Sequence, residues 1–298
     1  MKYDGLAKMS TKKCYKLEKI LLISSLSIKQ VPSKTMNKML SNAWDYRFFI
    51  FSAIRSEFRS RFARSRIGGL WLLLQPLAQV AIYALILSSV LSSRLPGSNS
   101  KYIYATYLMA GMMAWSLFAE IVTRCLTVFV DHGSTMKKIV FPRICLPLIV
   151  TGVALINNFL LFLAMYFVFL LLGQAPGIFV FWLPILVALT IALSVGLGLI
   201  LGILNVFIRD TAQILIVVLQ LWFWFTPVVY MSSVIPENYR HFLKYNPMSP
   251  IISSYQNVLV FSQPPTIELS WVLGLAIVLI AIAVFMFRKA AVEMVDVL

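Results

Sequence analysis

Six long apolar runs occupy most of this chain and predict membrane-spanning helices. They cover residues 70–93, 102–123, 146–172, 180–206, 212–231 and 270–287. A run of about 18 or more residues with few charges is long enough to cross a bilayer as a helix. Lipid offers no partner to a backbone N–H or C=O group, so each run is expected to be α-helical. The pattern therefore predicts an all-α membrane protein with six spans.

Two further segments precede the first span. Residues 1–43 are rich in lysine and weakly patterned, so we expect a mostly flexible basic extension, with a peripheral helix as the alternative. Residues 44–66 carry aromatic side chains at steps of three, four or seven residues, which predicts a cytoplasmic amphipathic helix on the membrane surface. Its stripe consists of Trp44, Phe48, Phe51, Phe58 and Phe62. Residues 67–298 form the predicted six-span domain, with short re-entrant or interfacial helices expected in the proline-rich segment 232–269.

Positive charge follows the predicted membrane boundaries. The chain is 60% hydrophobic and only 12% charged, with a net charge of +15, whereas a soluble domain is about 25% charged. Of the 26 Lys and Arg residues, 15 precede the first span, and 22 fall on one side of the predicted membrane against four on the other. The positive-inside rule then predicts that both termini are cytoplasmic. Because topology accounts for the basic charge, we expect no nucleic-acid partner.

Few residues could carry catalysis or hold a metal. The three cysteines and two histidines are scattered, without a CxxC pair, so we expect no metal site. Asp210, Glu237 and Glu268 are isolated, whereas an enzyme would need clustered acids or a histidine base. No glycine is followed by lysine, so the phosphate-binding loop of ATPases is missing. We predict no catalytic residue and no cofactor here, and any ATP-driven movement would need a partner that binds ATP and magnesium.

Five sequence blocks in a fixed order resemble one family, the permease subunits of type-2 ABC transporters that export polysaccharides. Members of this family move lipid-linked O-antigen, capsule or teichoic-acid chains across the membrane. The blocks extend over most of the chain after residue 44, and the extension 1–43 is long for the family. They read RSRIGGLWLLLQP (64–76), KKIVFPR (137–143), NVFIRD (205–210), WFWFTPVVY (222–230) and YNPMSPII (245–252).

The resemblance implies a homodimer of six-span subunits in the bacterial inner membrane, joined by two cytoplasmic ATPase subunits. The substrate would be a polysaccharide on a polyprenyl diphosphate, with O-antigen as our first expectation. The helix 44–66 would touch the ATPase, and the segment beginning at Ser134 and ending before Pro142 would be a coupling helix. The alternative for that segment is an ordinary basic loop retained by topology. The predicted coupling residues are Arg55, Phe58, Ser134, Lys137, Lys138, Phe141, Arg143, Arg209 and Asp210.

A diphosphate needs positive charge and fixed donors, and the junction before the first span offers both. Arginine contacts phosphate in bidentate fashion, glycine permits close backbone approach, and a helix N-terminus presents free N–H groups. The predicted lipid-diphosphate site therefore consists of Arg59, Arg61, Arg64, Arg66, Gly68 and Gly69. The alternative is that these arginines only satisfy topology and bind ordinary anionic lipids.

Aromatic and amide side chains inside the spans could line a glycan channel. Sugar rings stack on aromatic faces, and a sliding polymer needs many weak contacts. The alternatives are an interfacial aromatic belt and interhelical hydrogen bonds. The predicted channel residues are Gln75, Gln79, Tyr83, Trp115, Phe118, Trp222, Phe225 and Tyr230.

Two other functions remain open at this point. A type-2 permease for a small hydrophobic drug or lipid should have a less aromatic pore, and its ATPase activity should respond to drugs. A polyprenyl-phosphate sugar enzyme should turn over without an ATPase and should depend on Asp210, Glu237 or Glu268.

Overall fold

The computed structural model describes residues 45–62, 70, 71, 74, 77, 78, 103–133, 143–171, 173, 176–231, 243–290 and 294, and the fold is given for these. Within these ranges the chain forms helices and turns and no strand, as an all-α protein requires. The elements are α1 (Arg47–Phe62), α2 (Ile103–Asp131), α3 (Cys145–Leu171), a 3-10 helix (Ile178–Trp182), α4 (Leu183–Phe207), α5 (Thr211–Trp224), α6 (Met248–Gln256), a π-helix (Asn257–Phe261) and α7 (Leu269–Ala290).

Four apolar stretches in the described ranges are long enough to cross a membrane. They are Ile103–Asp131, Cys145–Leu170, Ile178–Phe207 and Leu269–Ala290. They correspond to the second, third, fourth and sixth predicted spans. The first predicted span lies almost wholly outside the described residues, so the count of six stays a prediction.

The fifth predicted span, 212–231, is wrong at its end, because α5 stops at Trp224. A helix of 14 residues is about 21 Å long, less than the roughly 30 Å of a bilayer core. Thr226 precedes Pro227, and the residue before a proline avoids the helical region. The chain therefore leaves the helix and continues through turns from Phe225 to Tyr230.

The second predicted span, 102–123, ends about two turns too early, because α2 continues to Asp131. The predicted span stops before Arg124, but the guanidinium of Arg124 is paired with carboxylates and does not end the helix. Beyond it, Leu126 and Phe129 remain buried, and Phe129 packs against Phe287 of α7 with ring centroids 5.8 Å apart.

Helix α2 is the centre of the bundle, and α4 crosses it at close range. Gly198 and Gly202 face α2: a Cβ atom at Gly198 would lie 2.8 Å from Cys125 Cβ, and one at Gly202 would overlap the Cys125 carbonyl oxygen. Asn205, on the same side of α4, donates from Nδ2 to the carbonyl of Leu126 at 3.1 Å. Small residues four apart permit such close crossings in membranes.

Two other helices pack against α2 and α4. On another side of α4, a Cβ atom at Gly196 would lie 3.1 Å from the backbone nitrogen of Ile280, so α7 also approaches closely. Helix α3 packs on α2, where Asn158 Nδ2 donates to the carbonyl of Met113 at 3.1 Å. The buried core thus runs along the two seams that α2 and α4 make with their neighbours.

Helix α1 lies against α3 and α2 through a face different from its aromatic stripe. Ile54 covers Gly152 of α3, where an added Cβ would overlap its side chain. Phe48 and Phe51, two members of the predicted stripe, are 74% and 72% exposed. These two side chains therefore point away from the bundle. The end of the bundle where α1 lies is called the α1 end below.

Candidate functional site

Four polar side chains from three helices meet at the α1 end, and we call this group the joint. Glu57 of α1 accepts from Arg124 Nη2 of α2 at 2.8 Å. Glu120, one turn before Arg124 on α2, lies 3.6 Å from Arg124 Nε through its Oε1. The same Oε1 accepts from Asn157 Nδ2 of α3 at 2.7 Å. The joint therefore links α1, α2 and α3 through consecutive polar contacts.

The joint is half-buried and carries more negative than positive charge. The side chains of Arg124, Glu120 and Glu57 are 19%, 28% and 31% exposed. Two carboxylates share one guanidinium, so the group has a net charge of −1 when all three are ionised. Arg124 Nη1 is buried and finds no hydrogen-bond acceptor among the described residues. The guanidinium thus retains a donor that the present arrangement leaves unused.

A cleft of about 100 Å³ opens beside the joint. Glu57 and Arg124 form part of its wall, and Asp131 and His132 from the end of α2 form another part. His132 stays close to its own helix, with Nδ1 3.0 Å from the carbonyl of Val128. Apolar side chains of α3, including Ile149, complete the lining. Its lining comes from the joint and from the neighbouring turns of α2 and α3, so the cleft belongs to the helix junction.

The opposite end of the bundle contains the break after α5, and three side chains satisfy its backbone. Tyr104 Oη donates to the carbonyl of Val229 at 2.6 Å. Tyr107 Oη donates to the carbonyl of Tyr230 at 3.3 Å, and Gln256 Nε2 donates to that of Pro227 at 3.2 Å. Irregular backbone survives at membrane depth only when other protein groups pair with it. These donors, two from α2 and one from α6, supply that pairing.

Asn246 joins the broken end of α5 to the start of α6. Its Oδ1 accepts from Trp222 Nε1 at 2.9 Å and from the Met248 backbone N–H at 3.0 Å. Its Nδ2 donates to Thr226 Oγ1 at 2.9 Å and to the Phe225 carbonyl at 3.2 Å. All four hydrogen-bonding positions of the amide are thus used. The side chain fixes where α6 enters the bundle.

A cluster of aromatic rings lies between α2 and α5. Trp115 and Phe118 of α2 are buried, and Trp222 packs edge-on against both, with centroids 6.4 and 5.2 Å away. Phe223 packs edge-on against Trp115 at 5.5 Å. Offset and edge-on ring pairs stabilise a contact beyond the area that they bury. The cluster holds the otherwise exposed helix α5 against the bundle.

The predicted lipid-diphosphate residues fall largely beyond the described ranges. Arg59 is exposed on α1, and Arg61 lies in the last turn of the same helix. Arg64, Arg66, Gly68 and Gly69 lie outside the described residues. This site therefore stays a prediction.

Several predicted coupling residues share the α1 end. Arg55 is exposed and Phe58 half-buried on α1, and Arg143 lies in the turn before α3, where burial lowers the pKa of its guanidinium. Arg209 and Asp210 are exposed in the turn between α4 and α5. Since Asn205 contacts Leu126 near the end of α2, this turn is also at the α1 end. Ser134, Lys137, Lys138 and Phe141 lie outside the described residues.

The predicted channel residues divide into three groups. Gln75, Gln79 and Tyr83 lie outside the described residues. Trp115, Phe118 and Trp222 belong to the aromatic cluster and contact each other in this conformation. Phe225 is 71% exposed, and Tyr230 is half-buried with its hydroxyl donating to the Trp224 carbonyl at 2.9 Å. The channel role of all these residues stays a prediction.

The sequence interpretation missed two groups that the structure brings together. The i,i+4 spacing of Glu120 and Arg124 predicts that these two side chains pair, and the structure confirms that contact but shows a shorter one from Arg124 to Glu57, which is 67 positions away. The sequence interpretation did not assign a role to Asn246 or Gln256. The signal for Asn246 was its place between Tyr245 and Pro247, because asparagine before proline favours a turn.

The described residues contain no group of three or more His, Cys, Asp or Glu side chains that could hold a metal ion. The joint is a polar contact between helices, and the break is a set of neutral hydrogen bonds. Neither arrangement presents a nucleophile with an adjacent base. The two sites are suited to positioning helices relative to one another.

The fold defines a multi-pass membrane protein. It consists of long apolar helices with polar contacts at the two ends of the bundle and a broken helix at one end. Comparison with known proteins gives the family: the ABC-2 type transporter description matches residues 49–260, from α1 into the π-helix. The chain therefore belongs to the ABC-2 type transporter family.

Three relatives show the range of similarity. The O-antigen export system permease protein RfbA of Klebsiella pneumoniae is 27% identical over 235 residues, which cover 77% of this chain and 87% of the relative. The protein of the same name in Myxococcus xanthus is 29% identical over 238 residues, covering 78% and 88%. The polysialic acid transport protein KpsM of Escherichia coli is 24% identical over 202 residues, covering 66% and 75%.

Proposed function

We propose that this chain is the membrane-spanning subunit of an ABC exporter that moves a polyprenyl-diphosphate-linked polysaccharide, O-antigen in the first instance, across the bacterial inner membrane. A separate ATPase subunit powers the movement, and this chain performs no covalent chemistry. The observation that carries the proposal is the family match over residues 49–260 together with relatives named as O-antigen export permeases.

The proposed assembly is a homodimer of six-span subunits with two ATPase subunits, which bind ATP and magnesium. Both termini are cytoplasmic, so the α1 end faces the cytoplasm. The exposed face of α5 is the proposed contact with the second copy, because only Leu215 and Leu219 of that helix are buried. Ile214, Val217 and Leu221 are 60%, 55% and 56% exposed on it.

The proposed contact with the ATPase is the α1 end. Three separate parts of the chain present charged side chains there: α1 with Arg55, the turn before α3 with Arg143, and the turn between α4 and α5 with Arg209 and Asp210. The segment from Ser134 to Phe141 joins α2 to α3 at the same end and supplies Lys137 and Lys138. A subunit docked on this surface would touch every helix that the joint connects.

The arginines before the first span are the proposed contact with the lipid diphosphate. Replacing Arg64 and Arg66 by Gln should abolish export, because the diphosphate loses bidentate donors and two charges. Membrane insertion and ATPase assembly should persist, since 20 of the 22 charges on the cytoplasmic side remain. The matched control is Arg240→Gln with Lys244→Gln, which removes two charges from the other side and should leave export unchanged. Normal export by the Arg64 and Arg66 variant would contradict this assignment.

The proposal as a whole is tested by gentle purification of the tagged chain from its native membrane. We expect a stoichiometric ATPase subunit carrying a phosphate loop to copurify, and deletion of this chain to leave lipid-linked polysaccharide in the inner leaflet. If no ATPase is recovered after crosslinking and polysaccharide still reaches the outer face, the proposal is wrong. Stimulation of the purified complex by hydrophobic drugs and not by lipid-linked glycan would favour a drug or lipid permease instead.

A further inference from the structure

The joint contains one more carboxylate than the docking of α1 requires. Glu57 alone provides the 2.8 Å contact that ties α1 to α2. Glu120 lies on the same helix as Arg124, one turn away, so its 3.6 Å contact adds nothing to the link between α1 and α2. An acidic residue this close to the membrane core is costly to keep. Its position therefore calls for a function other than holding α1 in place.

We propose that Glu120 is a reserve partner for Arg124, so that the guanidinium exchanges Glu57 for Glu120 when α1 moves away from the bundle. A half-buried charge left without a counterion makes separation strongly unfavourable. Glu120 removes most of that cost, because it sits at the i,i+4 spacing from which a carboxylate can reach the guanidinium. The undocked arrangement then keeps an ion pair for Arg124 and is less unfavourable than it would be without Glu120.

Three details of the geometry support an exchange rather than a fixed triad. The Glu120 contact at 3.6 Å is longer than an optimal charge-assisted hydrogen bond, which measures about 2.7–2.9 Å, so it can still shorten. Arg124 Nη1 is buried with no acceptor among the described residues, so the guanidinium has an unused donor for a second arrangement. Asn157 of α3 donates to the same Glu120 oxygen and holds it in reach while α1 changes position.

Part of α1 faces away from the bundle, because Phe48 and Phe51 are exposed. Ile54 lies on Gly152, which has no side chain of its own. The ion pair of Glu57 and this apolar contact are two of the interactions that hold α1 in the docked arrangement. The transport consequence, that ATPase-driven movement of α1 reaches α2 through this exchange, rests on the proposed function, whereas the exchange itself does not.

The test compares two substitutions with the same chemistry and opposite expected signs. Amide hydrogen exchange of residues 47–62 is measured on the purified chain in lipid nanodiscs. Glu57→Gln should speed exchange by about fivefold, because a partly exposed ion pair of about 1 kcal/mol is lost from the docked arrangement only. Glu120→Gln should slow exchange by a similar factor, because the undocked arrangement loses its counterion. Glu120→Asp keeps the charge but shortens its reach, and it should slow exchange by a smaller factor.

If Glu120 instead only supports Arg124 in the docked arrangement, Glu120→Gln will speed exchange as Glu57→Gln does, and the inference is wrong. No change with either substitution would also overturn it. Exchange across residues 194–206 of α4 serves as the folding control and should not change. The same variants in the assembled exporter separate the two proposals. Suppose that Glu57→Gln speeds amide exchange, Glu120→Gln slows it, and neither changes the amount exported per ATP. The inference of an exchangeable ion pair would then stand, and the proposed coupling through α1 would be wrong.

Discussion

Gly202→Ala should separate α2 from α4 and destabilise the bundle. The glycine faces the backbone of Cys125, and an added Cβ would overlap the carbonyl oxygen of that residue and lie 3.3 Å from its carbonyl carbon. Neither neighbour is the end of a flexible side chain, so the overlap can only be relieved by moving a helix. Asn205, three residues later, bonds across the same seam and would be pulled away from the Leu126 carbonyl.

The size of the effect follows from the contacts at the seam. At Gly198, the gentler of the two positions, a Cβ would lie 2.8 Å from Cys125 Cβ, about 0.6 Å short of an ordinary contact of 3.4 Å. Overpacking of this kind costs about 1–3 kcal/mol, and loss of a hydrogen bond such as that of Asn205 adds about 1 kcal/mol. We therefore expect Gly202→Ala to cost about 2–4 kcal/mol and Gly198→Ala less.

The chain offers its own reporter and its own control for this experiment. Cys125 is fully buried at the seam, so the rate at which a maleimide labels its thiol measures how often α2 and α4 separate. A Cys14→Ser background removes one of the two other thiols of the chain, and mass spectrometry distinguishes Cys125 from Cys145. Gly274→Ala is the matched control, because a Cβ there would meet no atom within 4 Å.

We expect labelling of Cys125 to be at least about tenfold faster in Gly202→Ala than in the parent, from the conversion of about 1.4 kcal/mol per tenfold change. Gly274→Ala should match the parent or label more slowly, since alanine favours a helix over glycine. If Gly202→Ala and Gly274→Ala label at the same rate, close backbone packing does not hold α4 on α2 and the reasoning above is refuted.

Two further substitutions examine the neutral polar contacts. Asn246→Ala removes four hydrogen bonds at the end of α5 and should lower the free energy of unfolding by about 2–3 kcal/mol, which should appear as faster amide exchange in residues 248–261. The control Gln263→Ala changes an exposed side chain and should have little effect. Equal exchange in the two variants would contradict the role given to Asn246. Asn205→Leu should change the free energy of unfolding by no more than about 1 kcal/mol. The variant loses the hydrogen bond to Leu126, but it also removes a buried Oδ1 atom that has no donor among the described residues, and the two effects offset each other. A loss of several kcal/mol in Asn205→Leu would show that the bond is worth more than its geometry suggests.

The apolar runs predicted the long helices well because hydrophobic length is a local property. The third, fourth and sixth predicted spans begin and end within about three residues of α3, α4 and α7. The pattern failed where tertiary contacts override it. The predicted span stops at the charge of Arg124, yet two carboxylates pair with that charge and α2 continues for two turns. The run from 212 to 231 looks like one span, yet the backbone leaves the helix after Trp224, and side chains from α2 and α6 donate hydrogen bonds to the carbonyls of the broken end.

The candidate site could be predicted only in part for the same reason. Glu120 and Arg124 are four residues apart, so helical spacing alone brings them together. Glu57 reaches Arg124 only because Ile54 lies on Gly152, and nothing in the local pattern of residues 44–66 selects that face over the aromatic stripe. An aromatic stripe predicts a membrane surface, whereas four of the five half-buried side chains described on α1 lie off that stripe, namely Ile50, Ala53, Ile54 and Glu57, and only Phe58 belongs to it. A sequence pattern ranks faces by hydrophobicity, and that ranking cannot distinguish lipid from protein as the neighbour.

Helix α2 connects the two groups of polar contacts physically. Near the start of α2, Tyr104 and Tyr107 donate hydrogen bonds to the backbone that follows α5. Near its other end, Arg124 belongs to the joint. Twenty residues of helix separate Tyr104 from Arg124, a distance of about 30 Å, which equals the thickness of a bilayer core. The helix contains no proline, and at Gly111, its one glycine, Val228 and Gln256 approach the backbone closely. A buried helix without proline lacks the commonest cause of a sharp kink, so we expect it to move as a whole. A displacement at the joint should then reach Tyr104 and Tyr107, where it would lengthen or break their hydrogen bonds to Val229 and Tyr230.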